Sequence, residues 1–143
     1  MKMLLASWQV WALASAGFAA FTALSAKLGV AGVGADFATF IRTLVVVVLA
    51  GGIVAAGGQW QPLNTVPSRT WLYLLLSGLA TGASWLCYFR ALKLGDAARV
   101  APVDKLSVVF VAVLGALLLG EKLSLVNWLG VALIAGGAVL VAL

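Results

Sequence analysis

The chain of 143 residues is 64% hydrophobic and only 9% charged, whereas soluble globular domains carry roughly a quarter charged residues. So few charges cannot clothe a water-soluble fold, and the excess of basic over acidic residues is not gathered into a contiguous stripe of the kind that binds nucleic acid. With no histidine, one cysteine (Cys87) and four acidic residues, the sequence offers neither an intramolecular disulfide nor a ligand set for a transition metal, and no cofactor is expected.

A hydrocarbon core about 30 Å thick is crossed by about 20 apolar residues in an α-helix. Windows of that size occur at residues 8–27, 36–57, 71–90, 99–120 and 124–143. Their apolar runs are continuous rather than alternating, which favours helices that satisfy their own backbone hydrogen bonds over barrel strands. The fold class is therefore all-α, a polytopic membrane protein with five transmembrane helices in one domain spanning residues 1–143.

The first window follows Lys2 and contains Ala23-Leu-Ser-Ala26, which resembles a signal-peptide cleavage site. It is nevertheless long enough to span, and further spans follow it. Ser15, Thr22 and Ser25 share one face, and Ala12, Ala16 and Ala20 make a ridge of small residues. In the second window, Thr39, Arg42 and Thr43 form the polar stripe. The third carries Ser77, Thr81, Ser84 and Tyr88 at helical spacing, together with Trp85 and a GxxxG at Gly78 and Gly82. The fourth holds Asp104, Lys105 and Ser107 shortly after Pro102, and the fifth has small residues at Ala132 and Gly136 but no polar stripe. That last helix is a candidate for the outside of the bundle or for a dimer contact.

Charged side chains at a bilayer centre cost about 2.5–3.5 kcal/mol each on insertion scales, so they face a bundle interior, a wet cavity or the interface. Arg42 and Lys105 are shallow enough to snorkel, while the shorter Asp104 is expected to pair with a cation on another helix, Arg42 or Arg90. Each Ser or Thr alone is accounted for by bonding to the carbonyl one turn back. Polar stripes on four of the five windows are better explained by a shared aqueous cavity.

An odd number of spans puts Lys2, Arg69 and Lys122 on one side, A, and Lys27, Arg90, Lys93 and Arg99 on the other, B, with Arg42 and Lys105 deeper in the B half. The positive-inside rule makes side B cytoplasmic by a narrow margin, which permits insertion in both orientations. Trp8, Trp11, Trp60, Trp71 and Trp128 fall near side A as an aromatic belt, and Trp85 is the exception in the B half.

The stretch Ala91-Leu92-Lys93-Leu94-Gly95, the run from Ala97 to Pro102, the turn Leu119-Gly120-Glu121-Lys122-Leu123-Ser124 and Trp128-Leu129-Gly130 resemble an EamA domain of the drug/metabolite transporter superfamily. The resemblance covers nearly the whole chain, with windows one and two fitting the five-helix plan more loosely. Many relatives carry a proline deeper in the fourth helix, where this chain reads Asp104-Lys105-Leu106-Ser107-Val108-Val109-Phe110. That pattern looks like the single-domain bacterial and archaeal branch. The resemblance implies a multi-pass protein of the prokaryotic inner (plasma) membrane. Longer relatives contain two such domains as an inverted repeat, so one repeat is expected to complete its site as an antiparallel homodimer. Small multidrug resistance proteins of the same superfamily use a glutamate in their first helix; no acidic residue occupies the first window here, which disfavours drug–proton exchange by that route.

The reading that follows is a secondary transporter or exporter of a small polar metabolite, not an enzyme. Arg42, Trp85, Tyr88, Arg90, Lys105 and Ser107 are the expected substrate contacts, and Asp104 the expected proton-coupling or gating residue. Thr22, Ser25, Thr39, Thr43, Ser77, Thr81 and Ser84 are expected to line the cavity. Glu121 is assigned to the turn between the last two helices. The alternative is a non-transporting membrane subunit that assembles with another membrane protein. A membrane-embedded enzyme would need paired carboxylates, metal ligands or an activated nucleophile, none of which the sequence groups together. ATP-driven transport within this chain is excluded by the lack of a GxxxxGK[ST] loop.

Overall fold

The computed structural model describes residues 7–143; Lys2, assigned above to side A, lies outside them. Every regular element among the described residues is helical: α1 Trp8–Val30, α2 Ala35–Ala56, a short 3-10 turn Leu63–Thr65, α3 Ser68–Leu94, α4 Ala97–Asp104, α5 Ser107–Leu118 and α6 Leu125–Ala142. Five helices are long and apolar enough to cross a membrane, α4 and α5 together counting as one, Ala97–Leu118. At 1.5 Å per residue, that 22-residue segment reaches about 33 Å, the thickness of the hydrocarbon core.

Helix ends follow local chemistry. α2 stops in a Schellman motif: Gly58 takes φ 60°, its N–H donates to the Ala55 carbonyl, and the Gln59 N–H reaches back to Val54 at 3.0 Å. α3 begins after Pro67, whose carbonyl accepts from the Trp71 N–H. It extends to Leu94 rather than ending at Arg90. This lengthening brings Lys93 into the last turn of the helix.

The fourth span is not the single continuous helix expected over 99–120. It is interrupted at Lys105 and Leu106 and ends at Leu118. Pro102 has no N–H to offer the carbonyl one turn back. Beyond it the ladder tightens: Leu106 donates to Val103, Val108 to Lys105 and Val109 to Leu106, each three residues back. The local register is therefore 3-10 rather than α, and Asp104 and Lys105 sit at the break.

By internal contacts the chain forms two compact units, Ala26–Lys93, and the described part of Met1–Ser25 with Leu94–Leu143. In the first, Ala26, Val30, Ala38, Thr39, Phe89 and Leu92 form the buried core, with Leu92 fully enclosed. In the second, α6 packs against both α4 and α5. The turn between α5 and α6 is secured by Gly120 at φ 69° and by the Gly115 carbonyl, which accepts from both Leu119 and Glu121. The Glu121 side chain lies against the bare Cα of Gly115, where an added Cβ would sit 2.7 Å from its Oε2. Ser124 caps α6, its Oγ accepting from the Asn127 N–H at 3.2 Å.

Gly120→Ala places a side chain in the left-handed region and is expected to lower unfolding free energy by about 1 kcal/mol. Gly17→Ala, in the middle of α1 with nothing within 4 Å of the new methyl, is expected to leave it unchanged or raise it. Thermal unfolding of both variants in detergent checks the contrast.

Candidate functional site

The charged groups of the Ala26–Lys93 unit are concentrated where the end of α1, the start of α2 and the end of α3 meet. Their meeting follows from antiparallel order: α2 begins on the side where α1 and α3 finish. Asp36 occupies the first turn of α2, where a carboxylate is favoured by the helix dipole. Arg90 Nε and Nη2 donate to its two oxygens at 3.0 and 2.8 Å, a side-on, two-point ion pair. Both side chains remain 61% exposed, so the pair is open on one side.

Two lysines frame it. Lys27 of α1 donates to the Leu92 carbonyl at 2.8 Å, supplying a partner to one of the last carbonyls of α3, which have no donor in their own helix. Lys93 donates to the Val33 carbonyl, also at 2.8 Å, in the link between α1 and α2. Both ammonium groups thus fasten backbone. Deeper along α2, the Arg42 guanidinium lies 4.0 Å above the Trp85 ring centroid and 5.6 Å from that of Phe89, and Tyr88 is close enough to interact with it electrostatically. The one carboxylate of this unit, Asp36, pairs with Arg90 and not with Arg42.

In this unit, then, Arg42, Trp85, Tyr88 and Arg90 fall in one region of the facing helices α2 and α3. Trp85 offers one ring face to Arg42 and keeps part of its surface exposed. The hydroxyls expected in a cavity are locally committed as donors: Thr39 to Ala35 at 2.9 Å, Thr43 to Thr39 at 2.8 Å and Thr81 to Ser77 at 2.8 Å. Their oxygen lone pairs stay available. Ser77 and Ser84 are exposed on α3.

In the other unit, Asp104 and Lys105 pair with each other at 3.2 Å across the helix break, and Ser107 opens α5, exposed. Thr22 is half-buried and Ser25 exposed on α1. Each of these charged groups has a partner within its own unit. Arg90 has taken Asp36, which faces it across the α2–α3 contact, Arg42 lies on Trp85, and Asp104 meets its chain neighbour.

Asp36 is the residue that sequence reasoning missed. It marked the start of a window and received no role. The available signal was its isolation: no other acidic residue occurs between residues 26 and 93, and an antiparallel neighbour ends on Arg90.

A family model described as the EamA-like transporter family matches residues 6–143. The chain belongs to the EamA-like transporter family. A relative from Sinorhizobium sp, named as an uncharacterized transporter in the cobO 3' region, is 68% identical over 136 residues, covering 95% of this chain and 96% of the relative. No solved structure matches the chain. Membership in the EamA-like family makes this a multi-pass membrane protein with a transporter role, and the charged groups above acquire a context in which ions and polar solutes must be handled within apolar helices.

The Arg42–Trp85 stack is expected to contribute about 0.5–1 kcal/mol. A double-mutant cycle with Arg42→Gln and Trp85→Leu, read by thermal unfolding in detergent, should return a coupling of that size. A coupling near zero would show the stack to be incidental.

Proposed function

We propose that this protein is a secondary transporter or exporter of a small polar metabolite that carries negative charge, anionic or zwitterionic, working in the bacterial inner membrane as an antiparallel homodimer. The observation that carries the reading is Arg42. It is a guanidinium within an apolar span, steadied on Trp85 and Phe89, and the one carboxylate of its own unit, Asp36, is held by Arg90. A cation in that position is costly unless it serves a polar pathway, and its positive potential favours an anion. Trp85 and Tyr88 supply aromatic surface beside it, Arg90 and Lys105 further positive charge, and Ser107 a hydroxyl. Thr22, Ser25, Thr39, Thr43, Ser77, Thr81 and Ser84 are the proposed polar lining.

Asp104 is the proposed coupling or gating residue. It stands at a break in a membrane-spanning helix, and interrupted helices are where secondary transporters build substrate and ion sites. The family model matches once across the chain, and a transporter made of inverted repeats places its site between two of them. A second, oppositely inserted copy supplies the missing repeat, consistent with the narrow charge bias between the two sides. The exposed apolar face of α6, with Leu125, Leu129, Leu133 and Leu140 spaced about one helical turn apart or a multiple of it, is a contact such a copy would use. The organism of the 68% identical relative, Sinorhizobium sp, supports the inner-membrane location.

Asp104→Asn is expected to insert normally and to abolish gradient-driven flux in proteoliposomes, screened over small carboxylates and amino acids. Poor insertion instead would mark Asp104 as structural. Accessibility labelling of both termini in oriented vesicles is expected to find the chain in both orientations; uniform orientation would overturn the antiparallel dimer.

A further inference from the structure

The pair formed by Asp36 and Arg90 has three properties that do not belong together in a simple structural clamp. Arg90 presents its Nε and Nη2 edge to two carboxylate oxygens at 3.0 and 2.8 Å, the geometry in which an arginine receives any carboxylate or phosphate. Each of the two side chains is 61% exposed within the chain, so the pair opens without disturbing packed side chains. Lastly, Lys27 on Leu92 ties α1 to α3 and Lys93 on Val33 ties α3 to the α1–α2 link, so these helix ends stay joined when the pair opens, and only the tie from the first turn of α2 to Arg90 is given up. Arg90 holds Asp36, Lys27 and Lys93 are bonded to backbone at the same helix ends, and no second acidic residue occurs between residues 26 and 93. The region therefore keeps a surplus of positive charge with its one carboxylate in place.

We infer that Arg90 is an anion-receiving site and that Asp36 is its built-in occupant, displaced when a carboxylate-bearing solute binds side-on to the same edge. The inference rests on the transporter reading for its purpose and names the chemical class of the solute. In the empty protein Asp36 neutralises Arg90 and holds the first turn of α2 to the last turns of α3. An arriving carboxylate takes over both hydrogen bonds, and Asp36 is released toward solvent from the start of α2. Binding at Arg90 is thereby coupled to loosening of the α2–α3 contact. The solute must compete with a tethered carboxylate, so its apparent affinity is lowered by the fraction of time the pair is open. An exposed ion pair is open about 15–40% of the time, so removing the tethered competitor tightens apparent binding about two- to sixfold.

The test uses purified protein in nonionic detergent, with sodium acetate and inorganic phosphate as probes and ionic strength held constant with sodium chloride. Thermal unfolding of the wild-type protein is expected to shift upward with acetate. Asp36→Asn should reach half its shift at an acetate concentration about two- to sixfold lower, and Arg90→Gln should show none. Equal half-points for the wild-type protein and Asp36→Asn would overturn the inference. Should Asp36→Asn fail to give a monodisperse protein, the wild-type protein decides alone. With 15N-labelled arginine, and the Arg90 Nε signal assigned by its loss in Arg90→Lys, acetate should move that signal and chloride should not; an unmoved signal overturns the inference. Nanodiscs with and without phosphatidylglycerol separate a dissolved anion from a lipid phosphate. A response confined to phosphatidylglycerol, with none to acetate, also overturns it. None of these readouts measures flux, so loss of the anion site leaves the transporter reading to stand or fall on the Asp104→Asn experiment.

Discussion

In hydrocarbon every backbone N–H and C=O must find its partner within the protein, and the places where this chain departs from uninterrupted helix are the places where chemistry has been gathered. The last carbonyls of a helix have no donor in their own ladder. Here one of them, on Leu92, is met by Lys27. Lys93 does the same for Val33 in the neighbouring link. The basic residues that composition alone would assign to lipid headgroups thus have internal work, and the helix ends they fasten bring Asp36 and Arg90 within hydrogen-bonding distance.

Electrostatics in this region is organised by depth. At the helix ends, charges are compensated by carbonyls or by one another, in partly solvated positions. Further in, Arg42 has only the faces of Trp85 and Phe89 and the neighbourhood of Tyr88. An aromatic face steadies a guanidinium without neutralising it, so positive potential persists along α2. Within the Ala26–Lys93 unit a compensated cation, Arg90, thus stands at the helix ends and a cation held only by aromatic faces, Arg42, stands deeper along α2.

The spans were readable because their signal is thermodynamic and summed over some twenty residues: the apolar windows correspond to the five helices long enough to cross a membrane. The EamA-like assignment was readable from the Leu119–Ser124 turn and its flanks, and the family match confirms it. What escaped was pairwise. Asp104 attracted notice for its depth, while Asp36, at a helix start, looked like ordinary solvated punctuation; only the meeting of α2 and α3 gives it Arg90. The break at Lys105 was similarly hidden. Pro102 lies close enough to the start of its span to pass for a helix-opening proline, and the tightened bonds that follow it depend on backbone geometry that the residue types do not encode.

The notch at Gly115 ties one further consequence to the fold. Its carbonyl receives two N–H groups and its bare Cα shelters the Glu121 carboxylate, so the reversal from α5 into α6 is braced at three points within one helical turn. Two residues before α5, by contrast, the ladder runs on bonds three residues apart just beyond Pro102, which has no N–H to give. Because α6 packs against both α4 and α5, it lies along that thinned stretch as a splint, and the break at Lys105 and Leu106, next to the carboxylate of Asp104, is backed by a continuous helix.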